Sequence, residues 1–206
     1  MERAHSQQTR PAPGAHQVTA PCVMVIFGVN GDLTKRKLLP ALYNLAGDNL
    51  LSREFAIIGF GHADFTTGAL RQQLAEDIKR FATTAVASET WDWFMRRIYY
   101  VSGSFQEPKD YETLGRVIED VSKEHGISGN HFYYLAVAPR FFSPIVQNLG
   151  TSGLVGEEKG LRRVIIEKPF GRDLDSARAQ NGGKRRPKPA QRLPAPFLPA
   201  GSFPRR

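Results

Sequence analysis

Five apolar runs alternate along the chain with stretches in which apolar residues recur every three or four positions. The runs cover residues 23–27, 55–59, 98–101, 132–137 and 163–167. Continuous apolar runs of this length are typical of strands buried on both faces of a parallel sheet. Because such strands are joined by right-handed crossover helices, the pattern predicts an α/β fold with a doubly wound parallel sheet and flanking helices.

The stretches between the runs carry helix start and stop signals. From Thr66 to Phe81, Leu70, Leu74 and Ile78 recur at helical spacing, and Gly126 is placed as the C-cap of another stretch. The predicted helices cover residues 32–47, 66–81, a short segment from residue 88, 108–126 and 141–149.

The first apolar run ends in a glycine-containing turn, Gly28-Val29-Asn30-Gly31, and a helix is predicted to follow from Asp32. This order aims the unpaired N–H groups of a helix N-terminus at the carboxyl end of a central strand. Dinucleotide pyrophosphate is the usual anion at such a place. The two glycines do not meet the common G-x-G-x-x-G spacing, so the pattern alone also fits a strand-to-helix turn without a ligand.

The end of the second apolar run bears on the choice of cofactor. In dinucleotide-binding folds, a carboxylate there accepts a hydrogen bond from the ribose 2′-OH of NAD, whereas an arginine accommodates the 2′-phosphate of NADP. This chain has His62 and Asp64 at that place. A neutral imidazole is a poor phosphate partner and a carboxylate can face solvent, so the two residues leave both cofactors open.

Two prolines mark the carboxyl ends of the fourth and fifth runs. Pro139 follows Ala138 and cannot continue a sheet ladder, so the backbone there should be presented to the crevice. Pro169 follows Lys168, whose ammonium would lie where these folds bind ligands and could contact a sugar hydroxyl, a phosphate or a carbonyl. A lysine that simply faces solvent after a strand is the alternative.

Charge and composition exclude several classes of function. The net charge is +8, but seven of the 28 basic side chains and none of the 20 acidic ones lie in residues 182–206. The rest of the chain is close to neutral and makes no electrostatic case for specific nucleic-acid binding. Cys22 is the only cysteine, which excludes an internal disulfide. No run reaches the roughly 18 apolar residues of a membrane span, so we expect a cytoplasmic protein. No cluster of residues indicates a metal site.

Four motifs together resemble the N-terminal coenzyme domain of the glucose-6-phosphate dehydrogenase family. They read GVNGDLTKRKLLPALYNL, FAIIGFG, FYYLAVAPRFF and VIIEKPFGRDLDSA, in that order. The family's own fingerprint is G-x-x-G-D-L-x-x-R-K, and this chain matches it at Gly28, Gly31, Asp32, Leu33, Arg36 and Lys37. The resemblance predicts a Rossmann-like domain over residues 21–181. Residues 1–20 contain Pro, Gln, His and Arg without an apolar core region, and are expected to form a disordered arm.

The resemblance implies a site for NADP and glucose 6-phosphate. Gly28, Val29, Asn30, Gly31, Asp32, Leu33, Thr34 and Lys35 would hold the pyrophosphate. His62, where relatives usually carry an arginine, Ser104 and Phe105 would lie near other parts of the cofactor, and NAD stays possible because of His62. Ala138 and Pro139 would contribute backbone contacts. Lys168 would touch both glucose 6-phosphate and the nicotinamide region.

The activity implied is NADP-dependent oxidation of D-glucose 6-phosphate to 6-phosphogluconolactone, the first step of the oxidative pentose phosphate pathway. Family members are homo-oligomers, with dimer contacts mainly in the second domain. From residue 182 the chain departs from the family and reads as a basic, proline-rich tail resembling a frameshift product or gene fragment. The α+β substrate domain and its general-base histidine are not found.

We therefore expect a truncated dehydrogenase with no catalytic residue identified and little or no activity as an isolated chain. The alternative is a non-catalytic NADP-binding fragment whose basic tail attracts polyanions without sequence preference. A sheet that ends at the fifth strand would also expose an apolar edge.

Overall fold

A five-stranded, all-parallel sheet forms the centre of the molecule in a computed structural model. The model describes residues 18–62, 65–83, 88–158 and 160–166. The strands are β1 (Cys22–Phe27), β2 (Phe55–Gly61), β3 (Ile98–Ser102), β4 (His131–Leu135) and β5 (Arg162–Ile166), in the spatial order β3-β2-β1-β4-β5. The predicted doubly wound parallel sheet is confirmed.

Helices connect consecutive strands, as the spacing predicts. They are α1 (Leu39–Gly47), α2 (Thr67–Phe81), α3 (Ser88–Arg96), α4 (Pro108–His125) and α5 (Phe142–Thr151). Thr66 caps α2 by accepting a hydrogen bond from the Ala69 N–H, and Gly126 ends α4 in the left-handed conformation. None of the helices in the described ranges is both long and apolar enough to cross a membrane.

The first helix differs from the uniform α-helix that the sequence predicts. Its opening turns are helical from Asp32, but Thr34–Leu38 forms a π-helical segment that leads into α1. The Leu39 N–H donates to the Thr34 carbonyl, one residue farther back than in an α-helix. Pro40 explains the difference, because it has no N–H for the Arg36 carbonyl and its ring would press on that carbonyl in a regular α-helix.

Two apolar cores lie on opposite faces of the sheet. In β1, Met24 and Ile26 face a core shared with α1, α2 and α3, whereas Val25 and Phe27 face a core shared with α4 and α5. Residues 22 to 27 are all buried. Helices on both faces therefore leave the carboxyl edge of the sheet as the place where backbone and polar groups of β1 and its neighbours meet solvent.

Strand β5 lies at one border of the described sheet and pairs only with β4 there. Val164, Ile165 and Ile166 are 36%, 37% and 46% exposed. The expected apolar edge is thus present in the described part of the chain. The predicted arm, the basic tail, Asp64 and Lys168 lie wholly or mainly outside the described residues.

Candidate functional site

The order of the strands reverses between β1 and β4, so the connections that leave these two strands diverge and open a crevice at the carboxyl edge. Gly28 leaves β1 with a φ of 79°, and a β-carbon on it would lie 2.7 Å from both the Ala136 oxygen and Val137 Cγ1. At Gly31 a β-carbon would lie 3.1 Å from the Gly28 oxygen. Gly28 therefore needs to be glycine, a β-carbon at Gly31 would be a tight fit, and the turn brings bare backbone to the crevice.

Hydrogen bonds within the chain fix this turn. The Gly28 N–H donates to the Phe60 oxygen at 2.9 Å, the Gly31 N–H to the Gly28 oxygen at 2.8 Å, and the Lys35 N–H to the Gly31 oxygen at 3.1 Å. Thr34 is fully buried, and its hydroxyl lies 3.5 Å from the Gly28 oxygen, to which it donates. The N–H groups of residues 32–34 stand in the first helical turn, where a helix has no internal partner for them.

The two middle residues of the turn have different surroundings. Val29 is fully buried, and Gly59 on β2 makes room for it, since a β-carbon there would lie 2.6 Å from Val29 Cγ1. Asn30 Oδ1 is buried without a hydrogen-bond partner among the described residues. The amide oxygen and nitrogen of an asparagine can exchange places, so this side chain can turn a donor toward an anion.

A row of side chains crosses the carboxyl edge on the α4 and α5 side. His62, after β2, meets Phe105, after β3, with ring centroids 5.0 Å apart. Phe105 meets Phe141, after β4, at 5.3 Å, and the Arg140 guanidinium lies 4.8 Å from the centre of the Phe141 ring. We call His62, Phe105, Phe141 and Arg140 the edge row. Three separate strand exits thus meet in one line of contacts.

The middle of the edge row is rigidly held. The Phe105 carbonyl accepts hydrogen bonds from the Tyr111 hydroxyl at 2.9 Å and from Asn148 Nδ2 at 3.1 Å, which ties it to α4 and α5. Burial raises the pKa of Tyr111 to about 12, so this hydroxyl stays a donor at physiological pH. The Ser104 N–H donates to Asp110 Oδ2 at 2.7 Å. Phe105 itself is only 6% exposed.

The predicted site residues fall at the carboxyl edge where they lie in the described ranges. Ala138 and Pro139 are exposed at the exit of β4, and His62 is exposed at the exit of β2. Lys168 lies outside the described residues. The sequence interpretation missed Arg140 and Phe141, although the Arg-Phe pair directly after Pro139 could have suggested a stacked guanidinium.

The other described histidines lie away from this edge. His131 begins β4, and burial and the positive charge of Arg162 lower its pKa to about 4. His125 ends α4, where its Nε2 is 2.7 Å from the Tyr99 hydroxyl and burial lowers its pKa. Within the described ranges, no group of three His, Cys, Asp or Glu side chains could hold a metal ion.

Comparison with known proteins relates most of this chain to one family. The family model for the glucose-6-phosphate dehydrogenase NAD binding domain matches residues 25–184. Glucose-6-phosphate 1-dehydrogenase of Chlamydia pneumoniae is 38% identical over 176 residues, which are 84% of this chain and 34% of the relative. The chain thus spans about a third of the length of such relatives.

Solved structures show the same likeness in three dimensions. A glucose-6-phosphate dehydrogenase in complex with its substrate glucose-6-phosphate matches with a TM-score of 0.64 and 31% identity, over 79% of this chain and 33% of that chain. The enzyme from Mycobacterium avium matches with a TM-score of 0.62 and 34% identity, over 78% of this chain and 33% of that chain.

Proposed function

Because the chain belongs to the glucose-6-phosphate dehydrogenase family through its NAD binding domain, we propose that the crevice at its carboxyl edge binds NADP. The observation that carries this proposal is the turn at Gly28 and Gly31, where a β-carbon would meet the backbone. Such a turn at a helix N-terminus fits a pyrophosphate, which needs close backbone approach and unpaired donors.

The turn would hold the pyrophosphate through only some of its N–H groups. Those of Gly28, Gly31 and Lys35 already donate within the chain, so the N–H groups of residues 32–34 are the better donors. Asn30 would turn its amide NH₂ toward a phosphate oxygen, which gives its orphaned polar end a partner. Val29 would take part through its backbone alone, because its side chain is buried.

The remaining predicted residues would surround the two nucleoside ends. His62, Ser104 and Phe105 lie on the β2 and β3 side, where such folds bind the adenosine part. Ala138 and Pro139 lie at the exit of β4 and would contribute backbone contacts to the cofactor. Lys168 would contact glucose 6-phosphate and the nicotinamide region, in keeping with the EKPFG motif that contains it.

We further propose that the family reaction, oxidation of D-glucose 6-phosphate to 6-phosphogluconolactone, is the activity to which this domain contributes its coenzyme half. The nicotinamide, when bound, supplies the hydride acceptor. A base must take the proton of the sugar O1. His125 and His131 lie away from the carboxyl edge, and His62 lies on its adenosine side. None of the three described histidines is placed to act as this base, so we expect the chain to bind cofactor without efficient turnover. We propose the cytoplasm as the place where it does so.

Calorimetric titration of the purified chain with NADP, and separately with NAD, tests this proposal. A parallel absorbance assay for NADPH with glucose 6-phosphate measures turnover. We expect NADP binding with turnover lower by at least the roughly 10²- to 10⁴-fold that a missing general base costs. Absence of binding to either cofactor would contradict the cofactor assignment. Turnover at the rate of a complete dehydrogenase would contradict the assignment to the coenzyme half alone.

A further inference from the structure

The exit of β2 lacks the arginine that usually binds the 2′-phosphate of NADP in this kind of fold. His62 occupies that place, and an imidazole lacks the planar fork of N–H donors with which an arginine binds a phosphate. The Arg36 guanidinium lies 3.7 Å from Asp32 and over the Phe81 ring, toward α2. We therefore looked for a further cation on the α4 and α5 side of the edge, where His62 meets Phe105.

Arg140 lies on that side. It is exposed, and no carboxylate in the described part of the chain forms an ion pair with it. Its guanidinium is placed over the Phe141 ring, and Phe141 connects through Phe105 to His62. Stacking occupies the face of a guanidinium and leaves its N–H edge free for the two-pronged contact that phosphate favours.

The backbone around Arg140 also holds this arrangement. Pro139 fixes its own φ, and the Phe141 N–H donates to the Ala138 oxygen at 2.9 Å, which closes a 3₁₀ turn at the exit of β4. Phe105 is fixed by two hydrogen bonds to its carbonyl. The aromatic part of the edge row is therefore preorganised, and the Arg140 guanidinium stacks on the Phe141 ring at its β4 end.

We infer that Arg140 is the residue that distinguishes NADP from NAD in this chain, by binding the 2′-phosphate from the β4 side while the edge row supports the adenosine. This inference rests on the proposed function, because it assigns one more residue of this chain to the same cofactor. The arginine that binds the 2′-phosphate would thus come from the exit of β4 and not, as is usual in such folds, from the exit of β2.

Calorimetry on Arg140→Ala tests the assignment. We expect affinity for NADP to fall about 10- to 100-fold, the range for losing hydrogen bonds to a charged group, with affinity for NAD changed less than about twofold. The fragments 2′,5′-ADP and 5′-AMP should show the same contrast, which locates the effect at the adenosine end. Arg140→Lys should recover part of the loss, because a lysine keeps the charge but not the planar fork.

Arg116→Ala is the matched control. Arg116 is an exposed arginine on α4 that donates to Thr113 Oγ1 at 3.0 Å, and its loss should change neither affinity. In the double variant His62→Arg/Arg140→Ala, an arginine at the β2 exit should restore preference for NADP. Thermal unfolding of each variant checks that the fold is intact.

The possible outcomes separate the two proposals. If the wild-type chain binds neither cofactor, the proposed function is wrong and the assignment of Arg140 is wrong with it. If the wild-type chain binds NADP and Arg140→Ala leaves the ratio of NADP to NAD affinity unchanged, only the assignment of Arg140 is overturned. A failure of His62→Arg to restore the ratio would place the 2′-phosphate away from the edge row and would also overturn it.

Discussion

Strands β1 and β5 each contain a run of apolar residues, but the run is buried in β1 and exposed in β5. The apolar run of β1 is buried from Cys22 to Phe27, because helices cover both of its faces and strands flank both of its sides. In β5, Val164, Ile165 and Ile166 are more than a third exposed. An apolar run therefore predicts that a strand forms, whereas its burial depends on what the rest of the fold places around it.

The largest effect should come from truncating matched isoleucines in the two strands. Ile26 in β1 is fully buried, and Ile26→Ala should lower the free energy of unfolding by about 3–5 kcal/mol, since it leaves a cavity. Ile165→Ala in β5 should cost less than about 1 kcal/mol. Urea unfolding of both variants measures the difference. Equal losses would mean that β5 is as well covered as β1.

A second pair of variants, at two glycines, separates the cost of backbone strain from the cost of steric contact. Gly28 and Gly126 both have positive φ, but a β-carbon at Gly126 would meet nothing within 4 Å. Gly126→Ala should cost about 1 kcal/mol from strain alone. Gly28→Ala should cost about 2–3 kcal/mol and abolish NADP binding, because the methyl group meets the Ala136 carbonyl. Intact NADP binding by a folded Gly28→Ala would contradict the proposed pyrophosphate turn.

The junction of β4 and β5 should make stability depend on pH. Burial, with a smaller contribution from the charge of Arg162, lowers the pKa of His131 from 6.5 to about 4 in the folded chain. Between these values the unfolded chain binds more protons, so the stabilising contribution is complete above about pH 6.5 and is lost as the pH falls toward 4. Because His131 is partly exposed, we expect a loss of about 1–3 kcal/mol.

His131→Gln isolates this contribution. The variant keeps a polar side chain at the start of β4 and removes the titrating group, so its unfolding free energy should vary less between pH 7 and pH 4 than that of the wild type. Tyr133, which contacts His131, has a pKa raised by burial to about 12 and does not titrate in this window. An identical pH slope in the two chains would rule out His131 as the source.

The smallest effect on stability should come from charging the β5 edge. Ile166→Lys places a charge on a strand that presents exposed apolar side chains, and should change the free energy of unfolding by no more than about 0.5 kcal/mol. Edge lysines oppose strand-to-strand association, so light scattering at rising concentration should decrease. If association is unchanged, the exposed residues of β5 do not mediate it.

Much of the fold could be predicted because periodicity is a local property. The apolar runs located the five strands of the described residues, the spacing over residues 66–81 located α2, and Gly126 located the end of α4. The π-helical segment at Thr34–Leu38 was missed, because one proline in an otherwise regular helical pattern does not reveal whether the helix kinks, ends or widens. Tertiary packing makes that choice.

The candidate site likewise has one part that the sequence predicts and one part that it does not. The glycine turn follows from residues adjacent in sequence, so Gly28 and Gly31 were accessible from the motif alone. The edge row combines residues from the exits of three strands, and only the assembled sheet shows that Phe141 reaches Phe105 and that Phe105 reaches His62. Arg140 was missed for this reason, since its position matters only once those rings meet.

The only cysteine of the chain lies in the central strand, which is buried along its whole length. Cys22 is 5% exposed in β1, and burial raises the pKa of its thiol to about 11. A thiol reagent should therefore modify it only during the moments when β1 separates from its neighbours. Because the chain has no second thiol, the rate at which Cys22 is labelled measures how often the central strand opens. Bound cofactor should lower this labelling rate.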